Sequence, residues 1–536
     1  MTRTAIAVSD LVRELSRPQA YPHPAGDIEV HQTHISVVFL AGAYAYKVKK
    51  AVDLGFLDFT TLDDRLRFCH EEVRLNRRLA GDVYLGVVPI VETEDGLVVD
   101  GRGEPVEHAV KMERLPPEAA LRARLERGDL AAPVADELGR RVAAFHRDAA
   151  GGPHVARYGR WTVVAAQARE NLAASRHHVG TYVSAAVFQR LADRLERRLE
   201  ELRPLIEARA EAQVPRNTHG DLHLEHVYLF PERAPPADLV VIDCIEFNER
   251  FRYADPVADM AFLSMDLRYH GRPDLADRFV DAYFAASGDA EGRTLLPFYE
   301  SYRSAVRAKV AGLQAAQSDM ADHERRDAER SAGAHWLLAL AELEEPDRRP
   351  ALVLVGGLPG TGKSTLAGAL GERAGFTVLS SDRTRKQLAG VAAGESAAAA
   401  FGDGIYTPEW NDRTYEALLR TSIDFLRQGE RVVVDASFRE EGRRRAFLEA
   451  AVAAGVRPVY LRCSAAPATV RGRLEAPRGG ASDADPSVYE AASRAWEPES
   501  AAVVRRNMVE IPTDGPPKEV VAEALGQLRA RGLVGQ

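Results

Sequence analysis

Residues 357–364 (GLPGTGKS) have the residue types and spacing to bind a nucleoside triphosphate. They fit the pattern G-x-x-x-x-G-K-[ST], and they lie between a predicted strand at residues 351–355 and a predicted helix. Glycines in such a loop let backbone N–H groups face phosphate oxygens, while Lys363 reaches the β- and γ-phosphates and Ser364 ligates Mg²⁺. The motif therefore predicts ATP and Mg²⁺ as cofactors. The residues predicted to contact the nucleotide are Gly357, Gly360, Thr361, Gly362, Lys363, Ser364 and Thr365.

Two carboxylates downstream of this loop have places suited to phosphoryl transfer. Asp382 stands at the tip of the next predicted strand, where it could accept the proton of an attacking hydroxyl. Arg385 lies three residues later, so one helical turn places it on the same face. Asp435 follows another predicted strand, and we expect it to contact either a Mg²⁺-bound water or the substrate. The basic residues predicted to close over the phosphates are Arg471, Arg473 and Arg478.

A second set of catalytic residue types lies in residues 219–226 (HGDLHLEH). Asp221 has the place of the base in a protein-kinase catalytic loop, where an Asn five residues later holds metal. Here that position is His226, and a later strand delivers Asp243 as the expected main Mg²⁺ ligand. Because Mg²⁺ prefers oxygen ligands, three alternatives stay open. Glu225 could bind the metal in place of residue 226, or a water molecule could bridge His226 and the metal. Alternatively, this half binds nucleotide but transfers phosphate poorly.

The elements around these motifs predict two different folds in one chain. Before residue 342 the pattern is α+β, with early strands followed by a mostly helical stretch. After residue 350 strands and helices alternate, which predicts a parallel sheet covered on both faces. The charged, proline-containing segment 342–350 is predicted to be a linker. We therefore expect one domain over residues 1–346 and a second over residues 347–536.

The bulk composition is that of an ordinary globular protein, with 536 residues, 46% hydrophobic residues and a net charge of −9. The acidic balance argues against a dedicated nucleic-acid binder. The three cysteines, Cys69, Cys244 and Cys463, form no CxxC pair, which fits a reducing cytoplasm and argues against a disulfide framework. The sequence shows neither a secretory signal nor an apolar run of membrane-spanning length, so no membrane partner is expected. It does not indicate an oligomeric state.

The HGDLH and VVIDCIEF segments resemble aminoglycoside phosphotransferases and choline-kinase-like enzymes, over about residues 30–320. The resemblance implies a bilobal, protein-kinase-like fold in which a strand lysine, paired with a helix glutamate, binds the ATP phosphates. The strand AYAYKVK offers Lys47 and Lys49 on one face, and we favour Lys47. Glu72 is the matching helix partner. Residues 111–115 (KMERL) would meet the adenine.

The second half resembles small P-loop kinases, a group that includes gluconate kinase, zeta-toxin-like kinases and polynucleotide 5′-hydroxyl kinases. The segments that carry the likeness are the P-loop, SSDRTRKQL, VVVDASF and RGRLEAPR, and the match covers about residues 350–530. It implies that Asp382 is the general base and that Arg385 binds substrate or phosphate.

These observations favour a bifunctional kinase in which each half phosphorylates a hydroxyl group of a small molecule. Two alternatives stay open. In one, one half is a regulatory nucleotide-binding module, and His226 makes the N-terminal half the better candidate. In the other, the C-terminal half is a polynucleotide 5′-hydroxyl kinase, which the acidic composition does not favour. The acceptor of either half is not encoded in a recognisable motif.

Overall fold

A computed structural model describes most of the chain, and its described residues form two compact units. Within the described residues, no helix combines the length and the low polarity needed to cross a lipid bilayer. The described residues are 6–55, 57–317, 320–391, 404–475 and 486–535. The first unit contains Met1–Ala165, Leu202–Leu267 and Pro273–Leu296. The second unit contains Ala166–Glu201, Arg268–Arg272 and Pro297–Gln536.

The secondary-structure elements are numbered in chain order. The strands are β1 Glu29–Gln32, β2 Ser36–Ala41, β3 Tyr44–Lys49, β4 Tyr84–Thr93, β5 Gly96–Val99, β6 Pro105–Glu113, β7 Arg216–Asn217, β8 Val227–Leu229, β9 Leu239–Val241, β10 Tyr253–Ala254, β11 Ala351–Gly356, β12 Thr377–Ser380, β13 Arg431–Asp435, β14 Arg457–Ser464 and β15 Met508–Pro512. The helices are α1 Val8–Leu15, α2 Leu62–Ala80, α3 Leu121–Arg127, α4 Ala132–Asp148, α5 Pro153–Ala156, α6 Trp161–Ala174, α7 Ala185–Glu211, α8 Glu249–Arg252, α9 Pro256–Tyr269, α10 Pro273–Ser287, α11 Leu296–Ala315, α12 Asp322–Leu343, α13 Lys363–Ala374, α14 Ser381–Leu388, α15 Pro408–Arg427, α16 Glu441–Ala453, α17 Pro467–Glu475, α18 Pro486–Arg494, α19 Ala502–Asn507 and α20 Pro517–Ala530.

The first unit contains an antiparallel sheet in the order β1-β2-β3-β6-β4-β5. The hairpin between β2 and β3 turns at Gly42, whose φ of 59° is in the left-handed region that glycine adopts without strain. Along β3 the side chains alternate between the two faces. Tyr46 and Val48 pack into the core that contains Phe39, whereas Ala45 packs into the core that contains Val73 of α2. Lys47 and Lys49 share the face of Ala45, and they are therefore on the side that α2 covers.

A short hairpin of β8 and β9 brings together the residues on either side of it. The two strands are antiparallel, and Val227 at the start of β8 pairs with Val241 at the end of β9. The residues that precede β8 and those that follow β9 are therefore brought to the same end of the hairpin. His226 precedes β8 directly, and Asp243 follows β9 by two residues. This register makes neighbours of two side chains that are far apart in the sequence.

The second unit contains a parallel sheet in the order β12-β13-β11-β14-β15. The predicted parallel sheet with both faces covered is confirmed, and the alternation along β11 explains it. Val353 is in a core shared with α13 and α20, whereas Leu352 is in a core on the opposite face. That second core also contains Val187 of α7, Ala308 of α11 and Trp336 of α12. Three helices that precede the phosphate-binding loop in the sequence thus contribute to the core on one face of its sheet.

The segment 342–350, which the sequence predicts as a linker, differs from an exposed spacer. Its first two residues form the last turn of α12, which ends at Leu343. Glu344 is buried, and its carboxylate pairs with Arg190 at 2.8 Å and with Arg194 at 2.5 Å. Arginines of α7 neutralise this buried glutamate. The boundary between residues 346 and 347 stays a prediction.

Candidate active sites

The loop that contains Asp221 is held by a buried carboxylate on α9. The backbone N–H groups of His219 and Gly220 donate to the two oxygens of Asp259, at 3.0 and 2.7 Å. His146 of α4 lies 3.0 Å from the same carboxylate. Gly220 has a φ of 88°, and a Cβ there would lie 2.8 Å from the carbonyl oxygen of Phe251. The loop can therefore adopt this path only with glycine, and Asp221 follows it directly.

Asp221, His226 and Asp243 are brought together by this loop and the β8–β9 hairpin. His226 Nδ1 lies 2.9 Å from the carbonyl oxygen of Asp221. A carbonyl can only accept, so Nδ1 carries the proton and Nε2 keeps its lone pair. That Nε2 lies 3.6 Å from Asp243 Oδ2. Asp243 has a φ of 65°, an uncommon conformation for a non-glycine residue that is often found at functional sites.

Both strand lysines contact the predicted glutamate of α2. Lys47 Nζ lies 3.0 Å from Glu72 Oε1 and 2.5 Å from Asp243 Oδ1. Lys49 Nζ lies 2.7 Å from Glu72 Oε2 and forms a second, very short contact with Glu246. Lys47 therefore joins Glu72 to Asp243, whereas Lys49 is enclosed between two glutamates.

Charge pairing, rather than burial, determines the ionisation of this lysine cluster. Burial alone lowers the pKa of Lys47, but the carboxylates of Asp243 and Glu72 raise it well above its usual value. Burial alone raises the pKa of Asp243, but Lys47 and His226 hold it well below its usual range. Burial raises the pKa of Glu246, and Lys49 only partly opposes this effect. The cluster thus keeps Lys47 charged and Asp243 ionised, as binding of phosphate and a cation requires.

The phosphate-binding loop joins β11 to α13, as its motif predicts. Gly357 has a φ of 143°, and a Cβ there would lie 2.4 Å from the carbonyl oxygen of Cys463. Gly362 is the residue before α13 and has a left-handed φ of 83°. Lys363 and Ser364 begin the helix, so its N-terminal N–H groups border the loop. Gly360, Thr361 and Thr365 lie in the same segment.

Ser364 and Asp435 are the oxygen donors best placed for Mg²⁺ in the second unit. Asp435 ends β13, which pairs with β11 so that Asp435 is level with Val355. Ser364, in the first turn of α13, is close enough to Asp435 to influence the pKa of its carboxyl group. Burial raises the pKa of Asp435, and the Ser364 hydroxyl and the Lys363 ammonium oppose that effect. Hydroxyl and carboxylate oxygens are the donors that Mg²⁺ prefers, so this pair fits the ion.

Asp382 and Arg385 are placed by α14 rather than by a strand tip. The strand β12 ends at Ser380, and Asp382 lies in the first turn of the helix that follows, which corrects the sequence-based placement. Ser380 pairs with Asp435 in the sheet, so Asp382 follows a residue at the level of the Mg²⁺ candidate. The buried Arg385 guanidinium lies 3.3 Å from Asp382 Oδ1 and 2.7 Å from Asn411 Oδ1.

The three arginines that were predicted to close over the phosphates lie in different places. Arg473 donates to the carbonyl oxygen of Thr513 at 2.5 Å, and the Thr513 hydroxyl donates to the Thr361 carbonyl oxygen at 2.8 Å. Arg473 is therefore connected to the phosphate-binding loop. Arg471 lies on the same helix, α17. Arg478 lies outside the described residues.

Several residues that build the first site were missed by motif reading. Glu246, three residues after Asp243, pairs with Lys49. Tyr84 accepts a hydrogen bond from the Asp243 N–H at 3.2 Å. His223 Nε2 lies 3.5 Å from Asp221 Oδ2. A second histidine two residues after Asp221 was a usable signal, whereas no local sequence pattern indicates Tyr84 or Glu246. Glu225, the suggested substitute for His226, is exposed.

Two family models match separate parts of the chain. Residues 56–297 match the model described as a phosphotransferase enzyme family, and they contain Glu72, Asp221 and Asp243. Residues 352–498 match the model described as an AAA domain, and they contain the phosphate-binding loop. The first matched segment begins after Lys47 and Lys49 and covers the rest of the first site, and the second covers the phosphate-binding loop, Asp382 and Asp435.

The chain is also similar to whole proteins of mycobacteria. It is 34% identical over 467 residues to a protein of Mycobacterium tuberculosis strain H37Rv, a match that covers 86% of this chain and 89% of the relative. The same figures hold for a protein of Mycobacterium bovis. Both relatives are described as uncharacterized proteins.

Solved structures resemble parts of the chain. A gluconokinase from Sinorhizobium meliloti 1021 is 20% identical with a TM-score of 0.27, and the match covers 34% of this chain and 95% of that protein. A choline/ethanolamine kinase family protein from Mesorhizobium loti is 13% identical with a TM-score of 0.36, covering 60% and 90%. An amicoumacin kinase is 13% identical with a TM-score of 0.37, covering 62% and 93%.

Proposed function

Since the chain belongs to one family with these mycobacterial proteins and joins a phosphotransferase domain to a P-loop kinase domain, we propose that it is a bifunctional ATP-dependent phosphotransferase. Each half transfers the γ-phosphate of ATP to a hydroxyl group of a small molecule. The kinase class follows from the families of both halves. The ATP dependence, the two activities and the acceptors are the proposal.

In the first half, the proposed mechanism uses Asp221, Lys47 and Asp243. Asp221 accepts the proton of the acceptor hydroxyl as its oxygen attacks the γ-phosphorus, and the bond to the β-phosphate oxygen breaks to release ADP. Lys47, kept charged by its carboxylate neighbours, donates to phosphate oxygens. Asp243 holds the divalent cation. In either half, the bound cation would neutralise charge on the phosphates.

In the second half, the corresponding roles belong to Asp382, Lys363 and the pair of Ser364 and Asp435. Asp382 accepts the proton of the acceptor hydroxyl. Lys363 and the backbone of the loop bind the phosphates, while Ser364 and Asp435 hold Mg²⁺. Arg385 contacts Asp382 and is positioned to bind substrate or phosphate from the same helix. Arg473, next to the loop, is a candidate for stabilising transferred charge.

The observation that best supports the proposal is the pair of contacts made by the Lys47 side chain. Its ammonium group contacts Glu72 on α2 and Asp243 after β9. A lysine, its helix glutamate and a metal carboxylate are the parts that a protein-kinase-like site needs in place together. Asp221, on the loop before β8, completes the set.

An acceptor screen with full-length variants tests the proposal. Lys363→Ala leaves only the first site able to turn over ATP, and Lys47→Met leaves only the second. ADP release would be measured with sugars, aminoglycosides, nucleosides and 5′-hydroxyl oligonucleotides. Lys518→Ala, an exposed lysine of α20, is the control. Acceptor-dependent ADP release should persist in each single variant and disappear in the double variant. Loss of all turnover in one single variant would refute two independent activities.

A second candidate function assigns nucleotide sensing to the first half. The observation that favours it is His226, which stands where related kinases hold metal through an Asn. Under that function the Lys363→Ala variant would bind ATP but release no ADP with any acceptor. Phosphorylation of oligonucleotides by the Lys47→Met variant would instead identify the second half as a polynucleotide kinase.

A further inference from the structure

The first site contains a cluster of imidazole and carboxylate groups. Ligand atoms of Asp221, His223 and His226 all lie within 4.8 Å of one another. The ring centroids of His223 and His226 lie 3.9 Å apart, and the two ring planes are tilted by 39° relative to each other. Asp243 is adjacent, because His226 Nε2 lies 3.6 Å from its Oδ2. Two imidazoles and two carboxylates thus occupy the place where the kinase fold holds its cation.

The hydrogen bonding of His226 orients its free nitrogen. Nδ1 donates to the Asp221 carbonyl oxygen at 2.9 Å, which fixes both the tautomer and the ring plane. Such a bond from the other ring nitrogen is the usual support of a metal-binding histidine. Nε2 and Asp243 Oδ2 then have a separation that one cation can bridge, since two ligands at about 2.1 Å from a metal lie about 3–3.6 Å apart. The Asp243 side chain is 42% exposed, so an ion can reach it.

This donor set does not fit Mg²⁺ well. Mg²⁺ demands oxygen ligands in nearly octahedral geometry, whereas imidazole suits first-row transition metals. The pair of Ser364 and Asp435 in the second unit offers oxygen donors and provides the internal contrast. One chain therefore has two cation sites of different chemical character.

We propose that the first site binds a first-row transition-metal dication through His226 Nε2 and Asp243, and prefers it to Mg²⁺. His223, next to Asp221, is the neighbouring imidazole and not the principal ligand. The inference rests on the proposed function for the place of the cation. It goes beyond that function by naming the metal class and the residue that selects it.

Direct metal binding to the full chain tests the proposal, with Co²⁺ as the probe and no nucleotide or acceptor present. Calorimetry gives the dissociation constants for Co²⁺ and Mg²⁺, and the visible absorption of bound Co²⁺ reports nitrogen ligation. In Asp435→Asn, which removes the proposed cation-binding carboxylate of the second site, the first site with His226 intact should give a nitrogen-ligated Co²⁺ spectrum. His226→Asn should weaken Co²⁺ binding at least about tenfold and leave Mg²⁺ binding unchanged or tighter. Asp243→Asn should weaken binding of both ions.

Matched variants separate the assignment from unspecific effects. His323→Asn removes an exposed histidine of α12 and should change nothing, while His223→Asn should weaken Co²⁺ binding less than His226→Asn. An unchanged Co²⁺ affinity and spectrum in His226→Asn would overturn the proposal, as would a larger effect of His223→Asn. If His226→Asn fails to give the wild-type melting curve, His226→Gln replaces it. An all-oxygen Co²⁺ spectrum of the unsubstituted site overturns the proposal without any variant.

The two proposals fail in distinguishable ways. Selective Co²⁺ binding without phosphotransfer to any acceptor would refute the proposed activity of this half and support the metal preference. Equal Mg²⁺-dependent phosphotransfer in wild type and His226→Asn, together with an unchanged Co²⁺ affinity, would refute the metal preference. The same result would support the proposed activity of this half.

Discussion

Lys47 donates from Nζ to Asp243 Oδ1 over 2.5 Å, across 196 residues of sequence. The contact joins β3, in the middle of the antiparallel sheet, to Asp243, two residues past the end of β9. It places the proposed phosphate-binding lysine and the proposed metal ligand at one point, with Glu72 as the second partner of the lysine.

Substitution of the two strand lysines should separate catalysis from stability. Lys47→Met should lower ADP release by the first half about 100-fold or more, since phosphate contacts are lost. Lys49→Met leaves the buried Glu246 without its partner, so we expect a loss of about 3 kcal/mol or more in the free energy of unfolding. Turnover and thermal melting would be measured on both variants. If Lys47→Met kept normal turnover and a folded Lys49→Met had none, Lys49 rather than Lys47 would be the lysine that binds the phosphates.

Asp221→Asn should lower the turnover of the first half by about 10²–10⁴-fold, because the amide cannot accept the hydroxyl proton. ATP affinity should change little, since the base contacts the acceptor. Steady-state rates in the Lys363→Ala background give the comparison, and Asp148→Asn, on an exposed residue of α4, is the control. A rate within threefold of the parent, about 0.7 kcal/mol in barrier, would exclude Asp221 as the base.

Asp382→Asn should have the corresponding effect on the second half. In the Lys47→Met background, we expect transfer to fall by about 10²–10⁴-fold while ATP still binds, whereas Lys363→Ala should lose nucleotide turnover itself. ATP binding by calorimetry and ADP release distinguish the two. Asp424→Asn, on an exposed residue of α15, is the matched control. Weakened ATP binding in Asp382→Asn would show that this carboxylate supports the nucleotide instead.

Trp336→Ala should destabilise the second unit, although residue 336 precedes the phosphate-binding loop. The indole is fully buried in the core that also contains Leu354 and Val434 of the parallel sheet. Removing it should cost about 3–5 kcal/mol, since a large cavity remains. Denaturant unfolding would measure the change. Trp410→Ala, at a partly exposed position of α15, should cost less. Equal losses in the two variants would contradict a shared core.

Acid should weaken the second unit through His178. Burial, with a contribution from His177, lowers the pKa of His178 to about 4. The unfolded chain takes up this proton near pH 6.5 while the folded chain does not, so stability is lost as the pH falls from about 6.5 towards 4. Between pH 7 and pH 5 this corresponds to about 2 kcal/mol. His178→Leu should remove that part of the pH dependence, measured by denaturant unfolding. His31→Leu, at an exposed position, should keep it.

Local patterns in the sequence predicted the parts of the sites that lie close together in the chain. The loop 357–364, the spacing of Asp221 from position 226 and the two-residue period of β3 all rest on short-range geometry. Glu246 and Tyr84 could not be predicted, because their contacts depend on how α2, β4 and the segment after β9 pack together. The helical start of Asp382 was missed because a strand tip and a first helical turn have the same polar residue types.

Local sequence patterns also could not predict which helices form the core on one face of the parallel sheet. Residues 334–341 of α12 are all buried, and their apolar character predicts burial without indicating which element covers them. The partner is the sheet that begins at β11, and α7 and α11 contribute to the same core. The burial of Glu344 could not be predicted for a similar reason, since its neutralising arginines lie on α7.

The shared core also bears on how the chain is synthesised. The helices that carry Val187, Ala308 and Trp336 leave the ribosome before the strands they cover. Until β11 and β13 emerge, the apolar side of these helices has no sheet to pack against, and exposed apolar surface of this kind promotes aggregation. A polypeptide that ends before residue 351 should therefore aggregate through this exposed apolar surface rather than fold as an independent, active first half.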